Sequence, residues 1–178
     1  MNVVFNRCRP EDPEAATLLE ELSAVLAGMT GSSGKGSFAN EDMDDPRSVF
    51  LVGRLGGNAV ACGALRKIDR STCELKRMYA REQGKGFGSL VLAELEREAA
   101  RLGYGRIRLE TRKVNQRAVR FYAKHGYELI PNFGRYKGND AAVCFEKTLL
   151  GDKLSILSAG CANNSRRDEL GRSSAAPA

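Results

Sequence analysis

The sequence predicts an α/β fold on a mixed sheet, and three observations carry that prediction. Short apolar-alternating runs recur along the chain, and Gly56-Gly57-Asn58 joins two of them with a hairpin signal. Longer runs with a 3.6-residue period interrupt the strands. Two of these helical runs open directly after a glycine-rich or asparagine turn.

In order, "NVVFNRC" (2–8) reads as a first strand. Asp12-Pro13 resembles an N-cap with proline at the first helical position, and opens a helix over 13–28. Leu18, Leu22, Val25 and Leu26 form its apolar stripe, and Gly28 is its expected end. Residues 29–48 lack periodicity, which inside a small domain points to a functional loop or a concealed short helix. Strands follow at 49–55, 59–68 and 72–80. A strong helix begins at Phe87, with Leu90, Val91, Leu95 and Leu102 at helical spacing and Gly103 as its C-cap. "RIRLET" (106–111) is a strand, 115–126 a helix closed by Gly126, and 127–130 and 141–150 two closing strands. One domain over 1–150 is expected. The stretch 151–178 drifts into Ser, Ala, Asn and Gly and is expected to be a flexible tail.

Composition narrows the function classes. A chain of 178 residues with 42% hydrophobic and 28% charged residues is ordinary for a globular protein. No run approaches a membrane span, and the start lacks the apolar segment of a signal peptide. Five scattered cysteines without a CxxC pair argue against a disulfide framework, and a single histidine, His125, against a metal site. A reducing, cytoplasmic setting fits. The net charge of +6 does not choose a partner, and the basic stretch from Arg97 to Lys124 lacks the interleaved aromatics of a nucleic-acid surface.

The informative segment is "LKRMYAREQGKGFGSLVLAELE", with glycines at 84, 86 and 88. A Walker loop fails, because Gly34-Lys35 is followed by Gly36 and the required first glycine is Met29. A Rossmann fingerprint fails at Ser89, and its strand should not carry Glu74, Lys76 and Arg77. What remains is Gln83-Gly84-Lys85-Gly86-Phe87-Gly88, a QxxGxG pattern. Loop amides and the positive end of the following helix would make a nest for a pyrophosphate.

That pattern, on its strand "ELKRMYA", resembles the GNAT superfamily of N-acetyltransferases. The later "NQRAVRFYAKHGYEL" is similar to the family's second hallmark, Asn-x-x-Ala-x-x-x-Tyr before Gly-Tyr. The resemblance spans roughly residues 3–149. It implies a mostly antiparallel mixed sheet splayed at its central strand. It also implies acetyl transfer from acetyl-CoA to a primary amine of a small molecule or peptide, by direct attack in a ternary complex without a metal. Met78, Tyr79 and Ala80 would offer backbone groups to the pantetheine and thioester, where one oxyanion donor can be worth ~10²–10³ in rate. Gln83, Gly84, Lys85, Gly86, Phe87, Gly88 and Ser89 would cradle the pyrophosphate. Asn115 would hold the cofactor arm, serve as an N-cap, or both. Tyr122, two turns after Asn115, would be the general acid, unless it is simply core. Glu74 is the base candidate, with a cross-strand salt bridge as its plain alternative. Acids at 41, 42, 44 and 45 could form a rim for a cationic acceptor or merely solvate a loop. The rival readings are a non-catalytic acyl-CoA-binding regulator on the same fold and a nucleic-acid-binding module. A homodimer would be usual for the family.

Overall fold

The computed structural model describes residues 2–149, so the expected tail 151–178 lies outside the described residues. The elements run β1 Val4–Cys8, α1 Pro13–Thr30, β2 Val49–Leu55, β3 Asn58–Lys67 and β4 Thr72–Ala80. They continue with α2 Phe87–Arg101, β5 Arg106–Arg112, α3 Gln116–Lys124, β6 Glu128–Ile130 and β7 Ala142–Thr148. The strands form one sheet in the order β1-β2-β3-β4-β5-β7-β6. Every neighbouring pair is antiparallel except β4 with β5. Gly56 and Gly57, at φ 57° and 86°, make the two-residue turn between β2 and β3.

Strand alternation divides the apolar residues between two layers. On one face α2 seats Phe87, Val91, Leu92 and Leu95 over Leu65, Leu75, Ile107 and Phe145. Each such buried side chain stabilises the fold by ~1.5–3 kcal/mol. On the other face α1 lays Ala15 and Leu18 over Phe50, Val52 and Ala64. Gly63 is what lets α2 approach β3, because a Cβ there would lie 2.6 Å from Leu95 Cδ1.

Two expectations need correction. Helix α1 does not stop at Gly28 but runs to Thr30. Gly31 ends it at φ 73°, where its N–H bonds the Ala27 carbonyl. Gly28 permits termination without requiring it; the left-handed turn decides. Val25 belongs to the solvent side, at 49% exposure, so the stripe is narrower than the periodicity suggests. The aperiodic stretch after α1 holds two single 3-10 turns, Lys35–Ser37 and Asn40–Met43. Among the described residues no helix is long and apolar enough to cross a membrane.

Candidate active site

The site is created by a divergence within the sheet. β4 and β5 pair only through Thr72–Glu74 and Arg106–Arg108. Beyond Glu74 no β5 residue is in register with β4, so the edge of Leu75–Ala80 that faces β5 lacks a strand partner. On its other side β4 stays paired to β3, through Tyr79 with Cys62 and Ala80 with Ala61. The register slips between these pairs and Ala64–Lys76, so that Gly63 faces both Arg77 and Met78. Arg77 absorbs this bulge at φ 52°, a left-handed conformation that a non-glycine side chain rarely adopts.

The opened wedge becomes a cavity of about 450 Å³, within the usual range for small-molecule sites. β4 contributes Lys76, Arg77 and Met78 to its wall, β5 contributes Glu110 and Arg112, and α3 contributes Asn115 and Tyr122. The loop after α1 and the segment around Tyr136 close the far side.

The start of α2, which follows β4 in the chain and is not part of the cavity lining, is in an unusual chemical state. Gly86 caps it at φ 80°, no side chain bonds its first turn, and that turn carries no acid. The amides of Gly86, Phe87, Gly88 and Ser89 have no acceptor among the described residues. They combine with the helix dipole to favour an anion. The side chains here are less involved than the pattern suggests. Phe87 is buried in the core and offers only its backbone, while Gln83 and Lys85 are exposed. Gly88 faces the Phe121 ring, where an added Cβ would sit in ordinary contact at 3.6 Å.

Helix α3 is tied down at both ends. Asn115 Oδ1 accepts from the Ala118 amide at 3.1 Å, so its capping role is real, and the residue also lines the cavity. At the other end His125 Nδ1–H donates to the Phe121 carbonyl at 2.8 Å, because a carbonyl can only accept. Its Nε2 lies 3.0 Å from the Ser89 hydroxyl, within hydrogen-bond reach. Between these anchors Tyr122 packs against the rings of Phe121, Tyr127 and Phe145. Its hydroxyl has no hydrogen-bond partner among the described residues, and burial raises its pKa well above the ordinary phenol value.

Glu74 does not line the cavity. It is 2% exposed, and Oε2 accepts from Arg66 at 2.5 Å while Oε1 accepts from the Tyr136 hydroxyl at 2.9 Å. Lys76 Nζ lies 3.6 Å away and itself donates to that hydroxyl. The plain alternative, a structural ion pair, describes this residue. The carboxylate that does face the cavity is Glu110, which the motifs did not single out. Burial raises its pKa, against the opposing pull of Lys76 and Arg112. The alternation of "RIRLETR", with Ile107 and Leu109 inward, places Glu110 with Arg108 and Arg112 on the opposite face. That clustering of charge on an interior strand was the available signal.

The acidic loop is not a rim either. Asp42 pairs with Arg66 at 2.8 Å, Asp45 with Lys67 at 2.8 Å and Asp44 with Arg9 at 3.1 Å.

This geometry agrees with comparisons to known proteins. The family model of the acetyltransferase (GNAT) family matches residues 16–127, from α1 through both glycine- and asparagine-led helices. The chain belongs to the GNAT acetyltransferase family. Across 151 residues it is 28% identical to a protein of Azospirillum brasilense named IAA acetyltransferase, covering 83% of this chain and 99% of that one. A crystal structure of a candidate acyl-CoA N-acyltransferase from Klebsiella pneumoniae superposes with a TM-score of 0.70 at 26% identity. That match covers 83% of this chain and 97% of the other. A GNAT acetyltransferase from Elizabethkingia anophelis with acetyl-CoA bound shares the fold, with a TM-score of 0.63 at 16% identity over 83% and 99% of the two chains. The GNAT fold is therefore the one this chain adopts, with its mixed sheet open between β4 and β5.

Proposed function

We propose that this GNAT domain transfers acetyl from acetyl-CoA to a primary amine of a small molecule or peptide, by direct attack in a ternary complex. The observation that carries the reading is a set of three features on the elements that flank one wedge. These are the free edge of β4, the unbonded amides that open α2, and the unpartnered Tyr122 hydroxyl.

Each group has a task that its environment suits. The amides of Gly86–Ser89 take the pyrophosphate of the acyl donor. The Met78–Ala80 edge holds its pantetheine arm and thioester, because a fixed backbone N–H needs no reorganisation as the oxyanion forms. The Nδ2 of Asn115 remains available to that arm, since the cap uses only Oδ1. The amine attacks the thioester carbon, the C–S bond breaks, and the thiolate takes a proton from Tyr122. With ordinary values, about 10 for a phenol and about 8.5 for a thiol, that donation is uphill by roughly 2 kcal/mol. Burial weakens Tyr122 as an acid, but the same dry pocket makes the departing thiolate a stronger base.

Glu110 is the base this geometry favours over Glu74, because it reaches the cavity and a raised pKa brings it nearer to its task. A lysine-like amine at pH 7 must lose its proton at a cost of about 4.6 kcal/mol, whereas a lower-pKa amine demands far less. The four cysteine thiols among the described residues offer no covalent route. Burial pushes Cys8 to about 11 and Cys62 and Cys73 to about 12, and raises Cys144 as well, so these thiols remain protonated.

The test is thiol release from acetyl-CoA across amine classes, with Glu110→Gln and Glu74→Gln compared over pH. The base must be ionised, so the wild-type rate should rise with pH through a pKa above the usual carboxylate range. Glu110→Gln should lower kcat/KM by ~10²–10⁴ and erase that limb. A carboxyl whose pKa is raised on folding is more readily protonated in the native state, so stability falls as pH climbs through the raised value. Glu110→Gln should therefore keep or raise the melting temperature at pH 7. Glu74→Gln should instead destabilise the fold, by leaving Arg66 and Lys76 short of a buried counter-charge. If Glu74→Gln stays folded and abolishes the pH limb while Glu110→Gln does not, the base assignment reverses.

A further inference from the structure

The cavity has a charge surplus that the acyl donor does not explain. Lys76, Arg77, Arg112 and Arg135 line it, against the single carboxylate of Glu110. Elsewhere Arg7, Arg54, Arg81 and Arg108 are matched to Glu98, Glu14, Glu21 and Glu146, while Arg47 and Arg106 bond neutral oxygens of Arg70 and Ser71. Lys76 and its neighbour Arg66 are balanced locally by Glu74 and Asp42. The other three cavity arginines are not balanced. Arg135 donates only to the Gly36 carbonyl at 3.1 Å. Arg77 donates to the Ser33 carbonyl at 3.2 Å, while its buried Nε has no partner among the described residues. Arg112 has Glu110 as its nearest carboxylate, at 3.9 Å. Three guanidinium groups thus share one distant acid.

These cations lie on the wrong face for the diphosphate. Arg77 and Arg135 are held by carbonyls of the loop that follows α1, so they belong to the α1 side of the sheet. The unbonded amides of α2 are on the opposite layer, together with α3. With the donor's diphosphate at α2, as the proposed function has it, the α1 side is left for the acceptor. Arg77 is partly out of water with its buried Nε unpartnered, which is costly, while Arg112 and Arg135 are more exposed and free to turn to a ligand; a planar carboxylate is the group their paired N–H donors fit. A polycationic acceptor would instead meet like charge.

We propose that the acceptor is a small amine that also carries a carboxylate, of the amino-acid class. Its acid group is held by Arg112 and Arg135 with Arg77 behind them, and its amine is turned toward Glu110 and the wedge. This deepens the acetyltransferase reading and rests on it. The arginines are specificity residues; they take no part in bond making.

The experiment compares amino acids with their carboxamides, and with spermidine, as acceptors in the thiol-release assay. The acids should exceed the amides in kcat/KM by ~10- to 100-fold, the range of a charge-assisted contact. Arg135→Gln should shrink that ratio mainly by raising the KM of the acid. Equal use of acid and amide, or a preference for spermidine, overturns the proposal. A second measurement does not depend on turnover. N-acetyl-L-alanine should raise the melting temperature of the wild-type protein, its carboxamide should not, and Arg135→Gln should remove the difference. If the acid stabilises a protein that releases no thiol, the anion site stands and the transferase reading fails. If thiol is released without an acid preference, the reverse holds.

Discussion

Helices α2 and α3 follow the two strands that part, β4 and β5, and they treat their first-turn amides in opposite ways. At α3 the Asn115 side chain turns back to bond the Ala118 amide. At α2 the cap is Gly86, which has no side chain to offer, and the amides through Ser89 stay open. A side-chain cap is worth ~1 kcal/mol, and α2 forgoes it. The difference separates two jobs. On the proposed reading, the closed end fixes the direction of a helix that carries the acid, whereas the open end itself takes the donor's anion. The two are joined physically, because His125 bridges the end of α3 to Ser89 in the first turn of α2.

The largest expected effect tests the job assigned to the closed helix. Tyr122→Phe should lower kcat by ~10²–10⁴ while the acetyl-CoA KM stays put, measured by steady-state thiol release. A kcat within a factor of about three, well short of what a general acid contributes, would mean that another group supplies the proton. A smaller effect comes from making α2 resemble α3. Ser89→Asp puts an acid in the first turn, which suits the helix dipole but repels a diphosphate. Acetyl-CoA affinity, read by calorimetry, should fall ~10- to 100-fold with the melting temperature unchanged or higher. Unaltered affinity would place the donor elsewhere. The smallest effect comes from making α3 resemble α2. Asn115→Ala should cost ~1 kcal/mol of stability, seen as a drop of ~2–4 °C in a thermal melt. Asn115→Asp sharpens the contrast, since it keeps the cap and removes only the Nδ2 donor.

Much of this frame was legible because short-range rules govern it. The hairpin at Gly56-Gly57, the period of α2 and the glycine entry to it all follow from local backbone preference and burial. The site was legible only where a motif named it. Tyr122 and Asn115 are where the spacing put them, on one side of α3 and against the cavity. Glu74 and Glu110 show the limit. Each is a glutamate on an interior strand beside basic residues, and nothing local separates them. One lies where β4 still pairs with β5 and is enclosed by Arg66, Lys76 and Tyr136. The other lies past the divergence and faces open space. The acidic loop misled for a related reason, since the cations that neutralise it come from β3 and from the end of β1.

By itself the sequence determined the order of strands and long helices, where unbonded backbone amides open α2, and which tyrosine stands two turns after Asn115. Those outcomes depend on neighbours a few positions away, through turn geometry and side-chain periodicity. Only the tertiary structure decided which carboxylate meets the cavity and which arginines are left without an acid. Both depend on where β4 and β5 part, and that parting is a property of the packed sheet, set by the bulge at Arg77 against Gly63 and by the helices seated over it.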